Sequence, residues 1–256
     1  MRWLRTFLHP TSPSEAPLPC PKVPACIIAD IHGRLDLLEA MLARIATQPD
    51  ATAARIIFVG DLIDRGPESA SVLARVHALH KANPNQVTCL MGNHERMMLD
   101  FLEDAARAGP RWIRNGGSET LSSFGLSPWA RRQEENALQA LAEALRAALS
   151  AELLEWLTTL PLIWQEDLLA VTHAGADPKR AMKDQSPERM LWGPRRREAA
   201  LRKDGIWVVQ GHVIVQTAHA QNQRIWVDTG AWRNGQLSAA WIDADGLSFL
   251  NVSGEK

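Results

Sequence analysis

Aspartates, histidines and one asparagine return five times along the chain: Asp30-Ile31-His32-Gly33, Gly60-Asp61-Leu62-Ile63-Asp64-Arg65-Gly66, Gly92-Asn93-His94-Glu95, His173 and Gly211-His212. Each motif stands near the end of a short apolar run. Oxygen and imidazole donors without a thiolate suit divalent Mn, Fe or Zn ions better than a cysteine-bound structural zinc. Asp30 and His32, two apart at a strand end, can turn to the same side and grip one ion. Asp61 offers two carboxylate oxygens, to be shared between that ion and another, and Asn93, His173 and His212 would complete the second site. Two cations roughly 3.5–4 Å apart would clamp a phosphate and lower the pKa of a bridging water to about 7, so that hydroxide attacks in line. A lone Asp or His at a strand end is more often a cap or turn residue. Six in this order are not a coincidence.

These residues serve one site only if the chain brings them together, and the apolar runs say how. Val23 to Ala29 reads as a buried strand. Leu35, Leu38, Met41, Leu42 and Ile45 follow at helical spacing, so a helix begins just after Gly33. Arg55 to Val59 is the second strand. Pro67 sits as the first residue of the next helix, which carries Val72, Leu73, Val76 and Leu79 and ends near Asn83-Pro84. Gln86 to Met91 is the third strand, and Glu95 to Arg107 the third helix. This is βαβαβ, with every motif at the carboxyl end of a strand, where α/β sheets build their sites.

From Gly109 to Leu160 the alternation stops. Trp112 to Gly117 reads as a turn, and Gln133 to Leu160 as helices, with Leu138, Leu141, Leu145 and Leu149 on one face, Ser150 as a cap and Pro161 as a stop. A helical insertion, about 109–160, is expected beside the site. Pro161 to Trp164 and Leu168 to Thr172 form a hairpin turning at Glu166-Asp167. Ile206 to Gln210, Arg224 to Val227, Leu237 to Ile242 and Leu247 to Val252 are expected to complete a second sheet.

The chain has 256 residues, 46% hydrophobic and 22% charged, which allows one large globular α/β domain. A formal net charge of −1 gives no electrostatic reason to expect nucleic acid as a partner. Cys20, Cys26 and Cys89 are odd in number and lack metal-type spacing, so a reducing, cytoplasmic compartment is the expectation. No stretch approaches the length of a transmembrane helix. Arg5 interrupts the first apolar stretch and His9-Pro10 follows too soon for an export signal. Residues 1–24 therefore read as a short amphipathic tail and a Pro-rich linker, and 25–256 as the folded domain. The chain has ten tryptophans and no tyrosine, and most of the indoles are expected in the core or between helices.

The five motifs, in this order, resemble the signature set of the phosphoprotein phosphatase superfamily of metallophosphoesterases. The closer resemblance is to its bacterial and phage-lambda-type serine/threonine phosphatases, and it spans about Ala25 to the C-terminus. It implies a calcineurin-like four-layer αββα sandwich, with two sheets between helices and the metals at the apex. It implies two divalent ions, Mn²⁺ first and Fe or Zn otherwise, with Asp30, His32 and Asp61 on one and Asp61, Asn93, His173 and His212 on the other. It makes His94 the general acid that protonates the leaving alkoxide, and Asp64 the carboxylate that holds its imidazole. The chemistry agrees: an imidazolium is a suitable acid near neutral pH, and a carboxylate partner orients the ring and favours its protonated form.

Arg65 can offer a planar fork to phosphate oxygens. A second arginine does the same in the family from a Leu-Trp-x-Arg-like element. Here that element is Leu191-Trp192-Gly193-Pro194-Arg195-Arg196-Arg197, one residue longer, so Arg195 is the first choice and Arg196 its rival. Asn115-Gly116-Gly117 with Thr120 resembles a substrate-side segment, and Asp228-Thr229-Gly230 is expected on the site floor. The activity implied is hydrolysis of phosphate monoesters, phosphoserine and phosphothreonine in proteins first. The alternative is hydrolysis of dinucleoside polyphosphates such as diadenosine tetraphosphate. The symmetrically cleaving enzymes of that kind typically lack the equivalent of Asp64 and read Asn-His-Asp where this chain has Asn93-His94-Glu95. A catalytically silent binding module would have lost a ligand, His94 or Arg65, and none is lost here.

Overall fold

The structure, a computed structural model, describes residues 16–127, 135–194 and 200–255. The strands β1 (Ala25–Ile28), β2 (Arg55–Phe58) and β3 (Val87–Cys89) run parallel, with Ala25 opposite Arg55 and Ile56 opposite Val87. All four residues of β1 are buried, the continuous apolar pattern of a parallel strand covered on both faces. Two helices, α1 (Leu35–Ala46) and α2 (Ser69–Ala82), make the crossovers. The first of them buries Leu37, Leu38, Met41 and Ile45. The second starts two residues later than the proline signal suggests, because Glu68 N–H still bonds back to the Gly33 carbonyl.

The second sheet contains β4 (Ile163–Glu166), β5 (Leu169–Thr172), β6 (Trp207–Gln210), β7 (His219–Gln221) and β8 (Arg224–Trp226), in the order β4-β5-β6-β8-β7. Leu169, Val171, Trp207, Val209 and Ile225 join the core shared with the first sheet, while Ala170 and Val208 belong to a smaller cluster with Met182 and Ile206. The last two strands correct the expectation of a single closing sheet. Both β9 (Gln236–Asp243) and β10 (Gly246–Ser253) return to the first sheet, where β9 lies antiparallel to β1 in the order β10-β9-β1-β2-β3. A buried β1 needs both edges paired, and β9, buried from Leu237 to Ile242, supplies the second one.

The single helix expected to reach Arg107 is two helices, α3 (Asn93–Glu103) and α4 (Ala105–Trp112). Asp104 breaks them, its carboxylate accepting from Arg107 N–H at 3.1 Å as an N-cap. The expected turn at Trp112–Gly117 is helical instead: a wide π-type turn, Ile113–Gly117, leads into α5 (Ser118–Ser123), with Gly116 at φ 107°. Next come α6 (Glu135–Ala148) and α7 (Ala151–Thr158), the latter capped by Ser150 Oγ on Leu153 N–H at 3.1 Å. A 3-10 turn at Met182–Asp184 and the short helices α8 (Pro187–Trp192) and α9 (Ala231–Asn234) complete the described elements. Trp112, Trp156, Trp207 and Trp241 are buried, whereas Trp232 stays 37% exposed. No helix among the described residues is long and apolar enough to cross a membrane.

Candidate active site

The turns that follow β1, β2, β3, β5 and β6 meet at one end of the two sheets. Five residues there hold left-handed backbone: His32 (φ 48°), Asp61 (φ 52°), Asp64 (φ 73°), Arg65 (φ 70°) and His212 (φ 64°). Such angles are uncommon outside glycine. Gly92 and Gly211 do the complementary service, since a Cβ on either would collide with a carboxylate oxygen, of Asp61 and Asp30 respectively.

Asp61 stands in the middle. Its Oδ2 is 3.6 Å from His32 Nε2 and 3.8 Å from His94 Nε2, and its Oδ1 is 3.5 Å from His173 Nε2. Two clusters of ligand atoms result, His32/Asp61/His94 and Asp61/His173/His212, each within 4.8 Å, and the aspartate belongs to both. The first cluster contains His94 where Asp30 is expected. The Asp30 oxygens accept from His212 N–H at 3.0 and 3.1 Å, tying the β1 turn to the β6 turn.

The donor set fits divalent ions. Nδ1 of His32 is 2.7 Å from the Ile63 carbonyl and Nδ1 of His173 is 3.0 Å from the Val59 carbonyl, so each ring spends its proton there and turns an Nε2 lone pair to the centre. For His173 that lone pair faces the Asn93 Oδ1 at 2.9 Å. Two acceptors with no proton between them are satisfied by a shared cation. Burial pushes Asp30 and Asp61 well above the usual carboxylate range, with repulsion from Asp228 and then Asp61 adding at Asp30, and from Glu95 at Asp61. It pushes Asp228 up to about 6. Burial also holds the imidazoles neutral, His212 down to about 4 and His32 and His173 well below their ordinary value. Crowded carboxylates that call for positive charge, beside neutral imidazoles, are what metal ions require.

His94 Nδ1 lies 2.6 Å from Asp64 Oδ2. The Asp64 carboxylate also accepts from Thr120 Oγ1–H at 2.6 Å and Trp112 Nε1–H at 2.9 Å. Burial pushes Asp64 up to about 8, against the downward pull of Thr120 and Trp112, and pushes His94 down to about 2, helped by repulsion from Arg65. Those directions put the proton of the short Nδ1–Oδ2 line on Asp64, so the neutral His94 ring carries its own proton on Nε2, which points to the centre. Thr120, read from sequence as substrate-side, is buried behind Asp64 instead. Its neighbour Asn115 is exposed and lines a recess of about 370 Å³ with Arg65, Glu119 and Trp232. Arg65 places Nη1 3.0 Å from His32 Nε2 and its guanidinium 5.0 Å from the Trp232 ring centroid. Asp228 is buried beside Asp30, as expected of the floor. Arg195 and Arg196 lie outside the described residues.

Sequence reasoning used Glu95 only to separate substrate classes. Its buried carboxylate accepts from the backbone N–H groups of Asp61 (2.8 Å), Leu62 (2.8 Å), Ile63 (3.3 Å) and Gly92 (3.0 Å). It fixes the turn that carries the central aspartate. A glutamate at the third position of a helix was the available signal, since that residue reaches back to free N–H groups at the helix start. Trp112 was read only as the start of a turn, and its indole N–H proves to hold Asp64.

Comparison with known proteins agrees with this geometry. The calcineurin-like phosphoesterase family matches residues 23–216, and the chain belongs to it: a metallophosphoesterase, with the α/β fold of that family. The chain is 29% identical to serine/threonine-protein phosphatase 1 of Salmonella typhimurium, over 84% of this chain and 90% of that one. It is 27% identical to an asymmetrical bis(5'-nucleosyl)-tetraphosphatase of Bacillus velezensis, over 83% and 86%. A crystal structure of a cold-active protein tyrosine phosphatase shares the fold at a TM-score of 0.62 and 15% identity, over 90% of this chain and 78% of that one.

Proposed function

We propose that this metallophosphoesterase hydrolyses phosphate monoesters with two divalent ions, Mn²⁺ foremost, and that phosphoserine and phosphothreonine in proteins are its substrates. The carrying observation is Asp61, shared between two imidazole clusters within reach of an Asp64-held His94. Asp30, His32 and Asp61 would hold one ion, and Asp61, Asn93, His173 and His212 the other. When bound, the ions supply positive charge to the phosphate oxygens and acidify a water. The chain's own groups do the rest. His94 Nε2–H donates to the leaving oxygen, and Asp64, held by Thr120 and Trp112, fixes the ring and passes the proton it shares with Nδ1 to that nitrogen as Nε2 gives up its own. Arg65 presents its guanidinium to the phosphate, with Arg195 or Arg196 proposed as a second donor. Asn115 lines the substrate recess.

Dinucleoside tetraphosphate hydrolysis is the second reading, and the Bacillus relative favours it. The retained Asp64 on His94 weighs against the symmetrically cleaving kind. Place of action is proposed as the cytoplasm, on the free thiols of Cys20, Cys26 and Cys89. With Mn²⁺ added, kcat/KM for p-nitrophenyl phosphate, a phosphoserine peptide, a phosphotyrosine peptide and diadenosine tetraphosphate decides between the readings. The phosphoserine peptide should lead the three biological compounds, and a clear lead for diadenosine tetraphosphate would replace the reading with the second one.

A further inference from the structure

Gln210 ends β6, one residue before Gly211-His212. It is 6% exposed, yet its carboxamide has no hydrogen-bond partner among the described residues. Gly175, at φ 101°, makes room for it, because a Cβ there would stand 2.5 Å from Gln210 Oε1. The polar atoms of that amide are not among the fully buried ones left without a partner, so it is open to whatever fills the space in front of it.

The carboxamide lines a cavity of about 530 Å³, a size typical of small-molecule sites. The wall begins at Ala174 and Val213, each one residue past a histidine of the metal cluster. Val213 and Ile214 make it apolar on one side. On another, the His219 and Trp226 rings are stacked, with centroids 4.9 Å apart and planes at 18°. Among the described residues that line the cavity there is no carboxylate. A flat aromatic ligand suits such walls. The carboxamide adds a donor and an acceptor side by side, which match the acceptor and amino group on the edge of adenine.

We propose that this cavity binds a purine ring, with the Gln210 carboxamide on its donor–acceptor edge and the His219–Trp226 pair beside it. The proposal goes beyond the catalytic reading, for the ring need carry no phosphate.

Adenosine is therefore the probe, titrated calorimetrically into the full-length protein, once with Mn²⁺ and once with chelator. It should bind one to one in both. Gln210→Met keeps the side-chain length without the amide and should weaken binding by roughly tenfold or more, the usual worth of a bidentate pair to a base. His219→Ala, an exposed position, should weaken it independently, and thermal melting checks that each variant is folded. The purine ribonucleoside without the 6-amino group, which lacks the donor of that edge, should bind weakly to the wild type. No adenosine binding by the wild type, or equal affinity in wild type and both folded variants, would overturn the proposal. Tighter binding of an N-acetylated dipeptide amide, lost on Gln210→Met, would overturn it in favour of a peptide subsite.

Discussion

The two halves of the site are built differently. The half that grows from β1, β2 and β3 is cross-tied: Glu95 accepts from four backbone N–H groups, and Asp64 shares hydrogen bonds with three side chains. The half that grows from β5 and β6 rests on fewer bonds, with His173 on the Val59 carbonyl and His212 N–H on Asp30, and it opens into the large cavity. Groups that must keep fixed positions during bond breaking sit in the tied half. The open half has room to decide what enters.

The comparison is broken most severely at the residue shared by both halves. Asp61→Asn removes a charge between the two clusters. Turnover should fall by on the order of a hundredfold or more, above the loss typical of groups that only orient ligands. Metal analysis should find fewer than two ions per chain. Two retained ions with a near-wild-type rate would remove Asp61 from the centre.

Next in size, His94→Asn should separate binding from chemistry. The loss on a phosphoserine peptide should approach the ~10²–10⁴-fold typical of a missing acid, while p-nitrophenyl phosphate, whose leaving group needs little protonation, should lose much less. Equal losses with both ions still bound would make His94 a phosphate-binding or structural group. Glu95→Gln tests the tied half itself. It weakens the acceptor for four backbone donors, so stability should drop by about 1–3 kcal/mol in a denaturant titration and metal affinity by roughly 10–100-fold. An unchanged midpoint would mean the turn holds without its clamp.

The smallest effect concerns pH in metal-stripped protein. Burial raises the carboxyl groups, Asp228 to about 6 and Asp64 to about 8, so the folded state holds protons that the unfolded chain has released. Their contribution is present at low pH and lost as pH rises through those values. The histidines lowered to about 2 and about 4 are already neutral above pH ~6.5 and add no slope there. Thermal melting of the stripped protein should therefore fall from pH 6.5 to 8, and Mn²⁺ should raise it more at pH 8. A rise with pH in the stripped protein would contradict the account.

Much of this was legible in the chain because local pattern and global position agree. Asp30, Asp61 and Asn93 follow short apolar runs, and a parallel strand buried on both faces leaves that signal. Ser150 was readable as a cap for the same local reason. The partner of β9 was not, since Leu237 to Ile242 is equally apolar beside either sheet and its pairing with β1 joins residues about 210 apart in sequence. The break at Asp104 hides inside a pattern whose apolar spacing runs on through Ala105. Glu95 and Trp112 were named without their tasks, because their partners come from turns 33 and 48 residues away.

The left-handed backbone at His32, Asp61, Asp64, Arg65 and His212 sets this protein's safety against its usefulness. Each such residue costs the fold on the order of 1–2 kcal/mol that glycine would not. A laboratory selection that rewarded heat resistance alone would thus be drawn toward glycine at these five positions. It would deliver a protein stripped of three metal ligands, the holder of His94 and a phosphate-facing guanidinium, so any screen for hardier variants has to assay turnover in the same round.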